Sequence, residues 1–307
     1  MVLSILHFDR LVLSQCFHMP WRLTGYAQRS VGCFISLFAC LLLSSLTISV
    51  HAVADDSRLL SADAVVTEVL LELGLLDRLA GIDAASAMPA GYALPRLGYH
   101  RGLAAEGIIA MAPDLLIGSE QMGPAHVLDA VRGADIAVLV LPYPSDLPTL
   151  QANVDRIATA TGVTGELELQ TLLRQQAAEL AAKSLHTKKA ALLLRGEGGV
   201  LRMAGAGTGG GGFVTLTGAS NVAAYRGYRA ITPEGLLDLE PELLFVLDAD
   251  SRGIEDFLAR YPVMRFSSAV QSGAVFAIEG KTLVAGIGPA AVNEALRIVN
   301  AVATPPR

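Results

Sequence analysis

Eleven residues of this chain recur at a fixed offset. Residues 106–116 read EGIIAMAPDLL and residues 234–244 read EGLLDLEPELL, 128 positions later, with five identities and four conservative exchanges. A repeat of that kind means one supersecondary unit used twice. In each copy a glutamate, Glu106 or Glu234, stands in the first turn of a short apolar helix, where a carboxylate suits the positive helix end. Pro113 or Pro241 then keeps the helix from running into the leucine-led strand that follows. Two copies of helix, proline and strand predict two related α/β halves.

The rest of the chain fits that expectation. Short apolar runs at Ala80–Ile82, Leu115–Gly118, Ala137–Leu141, Ala190–Leu194, Leu243–Leu247 and Val275–Ile278 read as strands covered on both faces, with helical periodicity between them. Val65, Val66, Val69, Leu70 and Leu73 share one face of a helix over 63–73. Residues 147–189 differ, with helix formers throughout, no strand-like run, and Gly162 and Gly165 marking a kink or break. The reading is therefore an α/β protein of two Rossmann-like lobes, 55–146 and 190–307, joined by a single long helix over 147–189, with a ligand cleft between the lobes.

Ahead of the lobes, residues 31–50 read VGCFISLFACLLLSSLTISV, uncharged, with Arg22 and Arg29 before them and Ala52-Val53-Ala54 after. A basic flank, an apolar run and a small-x-small end make residues 1–54 a secretory signal peptide cut after Ala54. A retained anchor and a lipoprotein signal at Cys40 are the alternatives. All three cysteines fall in this segment, so beyond residue 54 the chain has neither disulfides nor thiolate metal ligands. A hydrophobic fraction of 52% against 17% charged residues excludes a disordered chain. A net charge of −6 with four lysines argues against nucleic acid as a partner. No apolar run of membrane length follows residue 54, so the exported part is expected to be soluble outside the cytoplasm.

The segment Leu94-Pro-Arg-Leu-Gly-Tyr-His-Arg-Gly102 gathers a phenol, an imidazole and two guanidinium groups, Arg96 and Arg101, into one loop. A phenolate is a hard anionic donor for ferric iron, and tyrosine is an axial haem ligand in some proteins. A surface loop with a packed tyrosine is the bland alternative. Residues 205–210, Gly-Ala-Gly-Thr-Gly-Gly, match a dinucleotide fingerprint only weakly, since Gly212-Phe-Val-Thr-Leu is not a clear helix opening. They read better as a cleft-facing loop, around Gly207, that leaves room for a flat ligand and offers amides to anionic groups beside Arg202, Arg226 or Arg229. There is no Gly-x-Ser-x-Gly elbow, no HExxH and no plausible Cys–His pair, so a hydrolase-type enzyme is disfavoured.

The run LPRLGYHRGLAAEGIIAMAPDLLI, with Tyr228-Arg-Ala-Ile-Thr-Pro-Glu234 and Ala285-Gly-Ile-Gly-Pro289, resembles the periplasmic haem-binding proteins of haem-uptake ABC transporters over most of residues 58–303. The resemblance implies a periplasmic, non-enzymatic carrier of haem b, as Fe(III) protoporphyrin IX. It implies Tyr99 as the iron ligand, with Arg101 as its companion. It also implies Glu106 and Glu234 as the paired carboxylates that dock on an inner-membrane permease dimer, and an outer-membrane haem receptor as the upstream source. Some relatives add a histidine from the second lobe. This chain has none after His186, which leaves Tyr99 alone or with a neighbour such as His100. A cobalamin or ferric-siderophore carrier of the same build is the alternative, since fold does not fix the ligand.

Overall fold

The computed structural model describes residues 56–195, 199–248 and 253–303, and these form one compact unit. The segment read as a signal peptide, residues 1–54, lies outside the described residues. The first sheet holds β1 (Leu59–Ser61), β2 (Leu79–Ile82), β3 (Leu115–Ser119) and β4 (Ala137–Leu141) in the order β2-β1-β3-β4, with every pairing parallel. The second holds β5 (Lys189–Arg195), β6 (Leu201–Ala204), β7 (Ser220–Asn221), β8 (Tyr228–Ala230), β9 (Leu243–Asp248) and β10 (Val275–Glu279). Its order is β10-β9-β5-β6-β8, with β7 also beside β5.

The parallel part of the second sheet repeats the first. β5 pairs β7 and β9, and β9 pairs β10, as β1 pairs β2 and β3, and β3 pairs β4. Strands β6 and β8 are an antiparallel extension of the second lobe alone. The two echoed segments form matching helices, α2 (Ala105–Ala110) and α7 (Pro233–Asp238). Each is followed by a non-glycine residue in the left-handed region, Ala112 at φ 44° and Glu240 at φ 51°, again 128 positions apart. That conformation is uncommon for such residues, so its recurrence at the same step shows that the backbone path itself is duplicated.

The other helices are α1 (Ala64–Glu72), α3 (Ala125–Gly133), α4 (Leu147–Thr161), α5 (Glu166–Ala182), α6 (Gly209–Leu216), α8 (Gly253–Arg260), α9 (Ser268–Gln271) and α10 (Pro289–Ala303). The connector expected as one helix is two, α4 and α5, interrupted at 162–165 where the glycines stand. Glycine is a poor helix former, so two within four residues give the chain a place to turn. Helix α5 is tied to α10 through Gln176 to Asn293 and Lys183 to Asn300, both at 2.6 Å.

Side chains alternate across both sheets, as period 2 requires. Leu59, Leu115, Ile117, Leu192, Leu243 and Phe245 face one shared core, which runs through both lobes and takes in α1, α4, α5, α6 and α10. Leu60 and Leu116 face a separate cluster under α2 and α3, and Leu193, Leu244 and Val246 one under α7 and α8. The lobes are thus joined by a continuous apolar interior. Among the described residues no helix is long and apolar enough to cross a membrane.

Candidate ligand-binding site

Because the first sheet is all parallel, its strands deliver their following residues to one edge, where open α/β sheets bind ligands. Asp63 follows β1, Asp83 follows β2, Gln121 follows β3 and Tyr143 follows β4. The loop carrying Tyr99 is fastened to that edge. Ile82 N–H donates to Pro95 O (3.0 Å), Leu97 N–H to Ile82 O (2.8 Å) and Ala84 N–H to Gly98 O (2.8 Å). Gly98, at φ 90°, then turns the chain in a way an L side chain resists. A 3₁₀ turn over His100–Gly102 follows, clamped by Gly123 N–H to His100 O and Leu103 N–H to Gly123 O, both 2.9 Å. Neighbouring side chains part company here. Tyr99 is 53% exposed and His100 2%. The His100 expected as a possible second ligand is thus withdrawn into the lobe, and His126 lies exposed in the first turn of α3.

A buried polar web supports the loop from below. Asp83 Oδ1 accepts from Ser86 N–H (2.9 Å) and from the Ser86 hydroxyl, and Oδ2 accepts from Ala85 N–H (3.2 Å). The Ser86 hydroxyl reaches Thr67, which donates to Ser61 (2.8 Å). Burial alone would raise the Asp83 carboxyl, but the nearby His100 imidazole, Ser86 and the two amides outweigh it and hold the group below its ordinary range. Arg96, expected on the ligand side, donates from Nη1 to the carbonyls of Asp83 (2.8 Å) and Ser86 (2.7 Å), so it braces this turn. Arg101 is exposed and donates to Gln121. Asp63 caps α1 through Val65 N–H at 3.0 Å, and burial pushes its carboxyl up.

The second lobe corrects the reading of the glycine tract. Residues from Gly209 onward open helix α6, with Thr208 as N-cap accepting from Gly211 N–H at 2.9 Å. A Cβ on Gly211 would overlap Gly205 O, and one on Gly212 would overlap Ser145 O. The tract serves close backbone packing more than space for a ligand. Only residues 205–208 remain a loop, where Gly207 is exposed at φ 73° beside the Arg226 guanidinium. Arg202, Arg226 and Arg229 are all exposed, and Arg229 lies 4.6 Å above the Tyr225 ring.

Two phenols meet the opening amides of α6. Gly209 N–H donates to Tyr143 Oη (2.9 Å) and Gly210 N–H to Tyr228 Oη (3.3 Å). Burial pushes the Tyr143 phenol up to about 12, with help from the Tyr228 and Asp63 charges against Arg101. Residues of both lobes therefore meet at Tyr143, which forms the floor between them. Nothing in the sequence reading singled out Tyr143. Its signal is positional, since Pro142-Tyr143-Pro144 stands between the last strand of one lobe and the connector. Glu106 and Glu234 are exposed in the first turns of α2 and α7. A surface groove of about 510 Å³ lined by Lys189, Glu242 and Phe266 lies at the opening ends of β5 and β9, the wrong end of the sheet for a ligand of this fold.

Two lobes over one floor, with side chains of each converging on the edge between them, define a two-lobed solute-binding protein. The chain belongs to the periplasmic binding protein family, whose model matches residues 60–282. Among solved structures it is similar to the periplasmic haem-binding protein HutB of Vibrio cholerae, at 32% identity and TM-score 0.76 over 81% of this chain and 100% of that one. A periplasmic haem-binding protein from Pseudomonas aeruginosa matches at 33% and 0.71, over 80% and 92%. The vitamin B12 binding protein BtuF of Vibrio cholerae shares the fold at 18% identity and TM-score 0.64, over 81% and 98%. No curated protein matches the chain. The family and these neighbours are binding proteins rather than enzymes.

Proposed function

We propose that this protein is a periplasmic carrier that binds ferric haem through Tyr99 and hands it to an ABC importer in the inner membrane. The observation that carries the reading is the presentation of Tyr99, a phenol 53% exposed on a loop hydrogen-bonded to a buried sheet edge and followed two residues on by a guanidinium. An anionic phenol oxygen is the donor that ferric haem takes in place of histidine or thiolate. Arg101 stands ready to stabilise that anion. Arg202, Arg226 and Arg229, with the loop at Gly207, are the groups that would meet the propionates. The neighbours at 32% and 33% identity are described as haem-binding, which supports haem over cobalamin or a siderophore.

Titration of the purified protein with hemin is expected to give a high-spin ferric tyrosinate spectrum. Tyr99→Ala should abolish that spectrum and weaken binding by at least about 100-fold while leaving the thermal midpoint in place. Equal hemin affinity in the variant would overturn the assignment. Glu106 and Glu234 are the docking carboxylates of this reading. Replacing both by alanine should stop haem uptake through the importer without altering hemin binding, and undiminished uptake would remove them from that role. An outer-membrane haem receptor is the upstream donor that such a carrier requires.

A further inference from the structure

We infer that His100 is the positioning residue for Tyr99, its buried ring forming the platform that turns the phenol out of the lobe. This deepens the haem reading, although only one of its two readouts depends on it. The two rings lie 4.3 Å apart at 50°. One is 53% exposed and the other 2%, although they are adjacent in the chain. Consecutive side chains in a tight turn point in different directions, so whichever residue takes the inward slot sends its neighbour outward.

The second lobe offers a comparison without a histidine. Gly98-Tyr-His-Arg101 in the first lobe corresponds to Gly227-Tyr-Arg229 in the second, and both glycines are left-handed, at φ 90° and 80°. Counted back from the shared glutamate, His100 stands six residues before Glu106 and Tyr228 six before Glu234. In the second lobe Tyr228 opens strand β8, half-buried, and its hydroxyl accepts from Gly210 N–H. Between that glycine and the glutamate the first lobe carries one more residue, and its backbone there is a 3₁₀ turn that buries His100 and leaves Tyr99 exposed.

The ring is held by enclosure rather than by a hydrogen bond. His100 Nδ1 lies 3.9 Å from Asp83 Oδ2, too far for a hydrogen bond. That carboxylate is itself immobilised by Ser86 and the Ala85 amide. The backbone of His100 is held separately through Gly123. A buried ring on a clamped backbone is a rigid support, and ligand geometry at a metal is set by such supports.

The test uses the purified protein with isotope-labelled tyrosine rings, Tyr99 being assigned with Tyr99→Phe. His100→Leu fills the slot without a planar ring, and His100→Phe restores the plane. Without haem, the Tyr99 ring order parameter should fall below about 0.6 in His100→Leu and recover in His100→Phe, with Tyr143 and Tyr228 unchanged throughout. With hemin, His100→Leu should bind about 10-fold more weakly and shift the tyrosinate band, and His100→Phe should approach the parent. A Tyr99 ring as ordered in His100→Leu as in the parent would overturn the inference. If the parent itself bound no hemin, the haem reading would fall while the ring dynamics still decided the role of His100.

Discussion

Tyr99 and Tyr228 each follow a left-handed glycine and each precede a duplicated glutamate-led helix, yet one faces solvent and the other supports a helix opening. The backbone differs with the role: Tyr99 leads into a 3₁₀ turn with one more residue before its glutamate, whereas Tyr228 opens the antiparallel strand β8. The lobes differ likewise in their glycines. Gly107 in α2 has open space around it, whereas Gly211 in α6 lies against backbone.

That contrast offers the strongest way to break the comparison. Gly211→Ala should destabilise the protein by roughly 3 kcal/mol, because the neighbouring backbone cannot yield as a side-chain tip could. Gly107→Ala should be neutral or stabilising by up to about 1 kcal/mol from helix propensity alone. Urea denaturation of both variants checks the pair, and similar midpoints would mean that the α6 packing is looser than described.

The seam between the lobes gives the next effect. Glu68 of α1 accepts from Ala290 N–H at the start of α10 (3.0 Å), and burial pushes its carboxyl up to about 7 against an ordinary 4.5. Between those values the folded protein retains a proton that the unfolded chain has released. Stability should therefore fall as pH rises from about 4.5 to 7, by on the order of 2 to 3 kcal/mol from this group. In Glu68→Gln that part of the slope disappears. Identical pH profiles for the two proteins would show that Glu68 is not the buried acid described.

The smallest effect concerns Tyr228. Tyr228→Phe removes the acceptor for Gly210 N–H and should cost about 1 kcal/mol in thermal or urea unfolding. The hemin spectrum should be untouched. A lost tyrosinate band in this variant would mean that the second lobe, not the first, supplies the iron ligand.

Much of the architecture was legible because both faces of the central strands are buried, and runs such as Leu115–Ile117 and Leu243–Leu247 carry nothing polar. β1 escaped notice because three residues are too few for a period. β6 and β8 escaped because each carries an exposed arginine, Arg202 or Arg229, on an antiparallel extension. The glycine helix α6 was misread because its stability comes from tertiary contact, which propensity does not report. At the site, residue chemistry singles out Tyr99, which the structure leaves exposed, but not Tyr143, whose position matters only because the two lobes meet there. The bracing role of Arg96 was likewise invisible, because a guanidinium in a loop has the same sequence signature whether it faces a ligand or a carbonyl.

Pro144 lies pressed against Gly286, its carbonyl accepting from Ile287 N–H at 2.6 Å, and Ser145 lies pressed against Gly212, with no room for so much as a methyl group in either place. A joint so tightly meshed resists hinge motion at this point of the seam, because any swing there would have to open backbone against backbone.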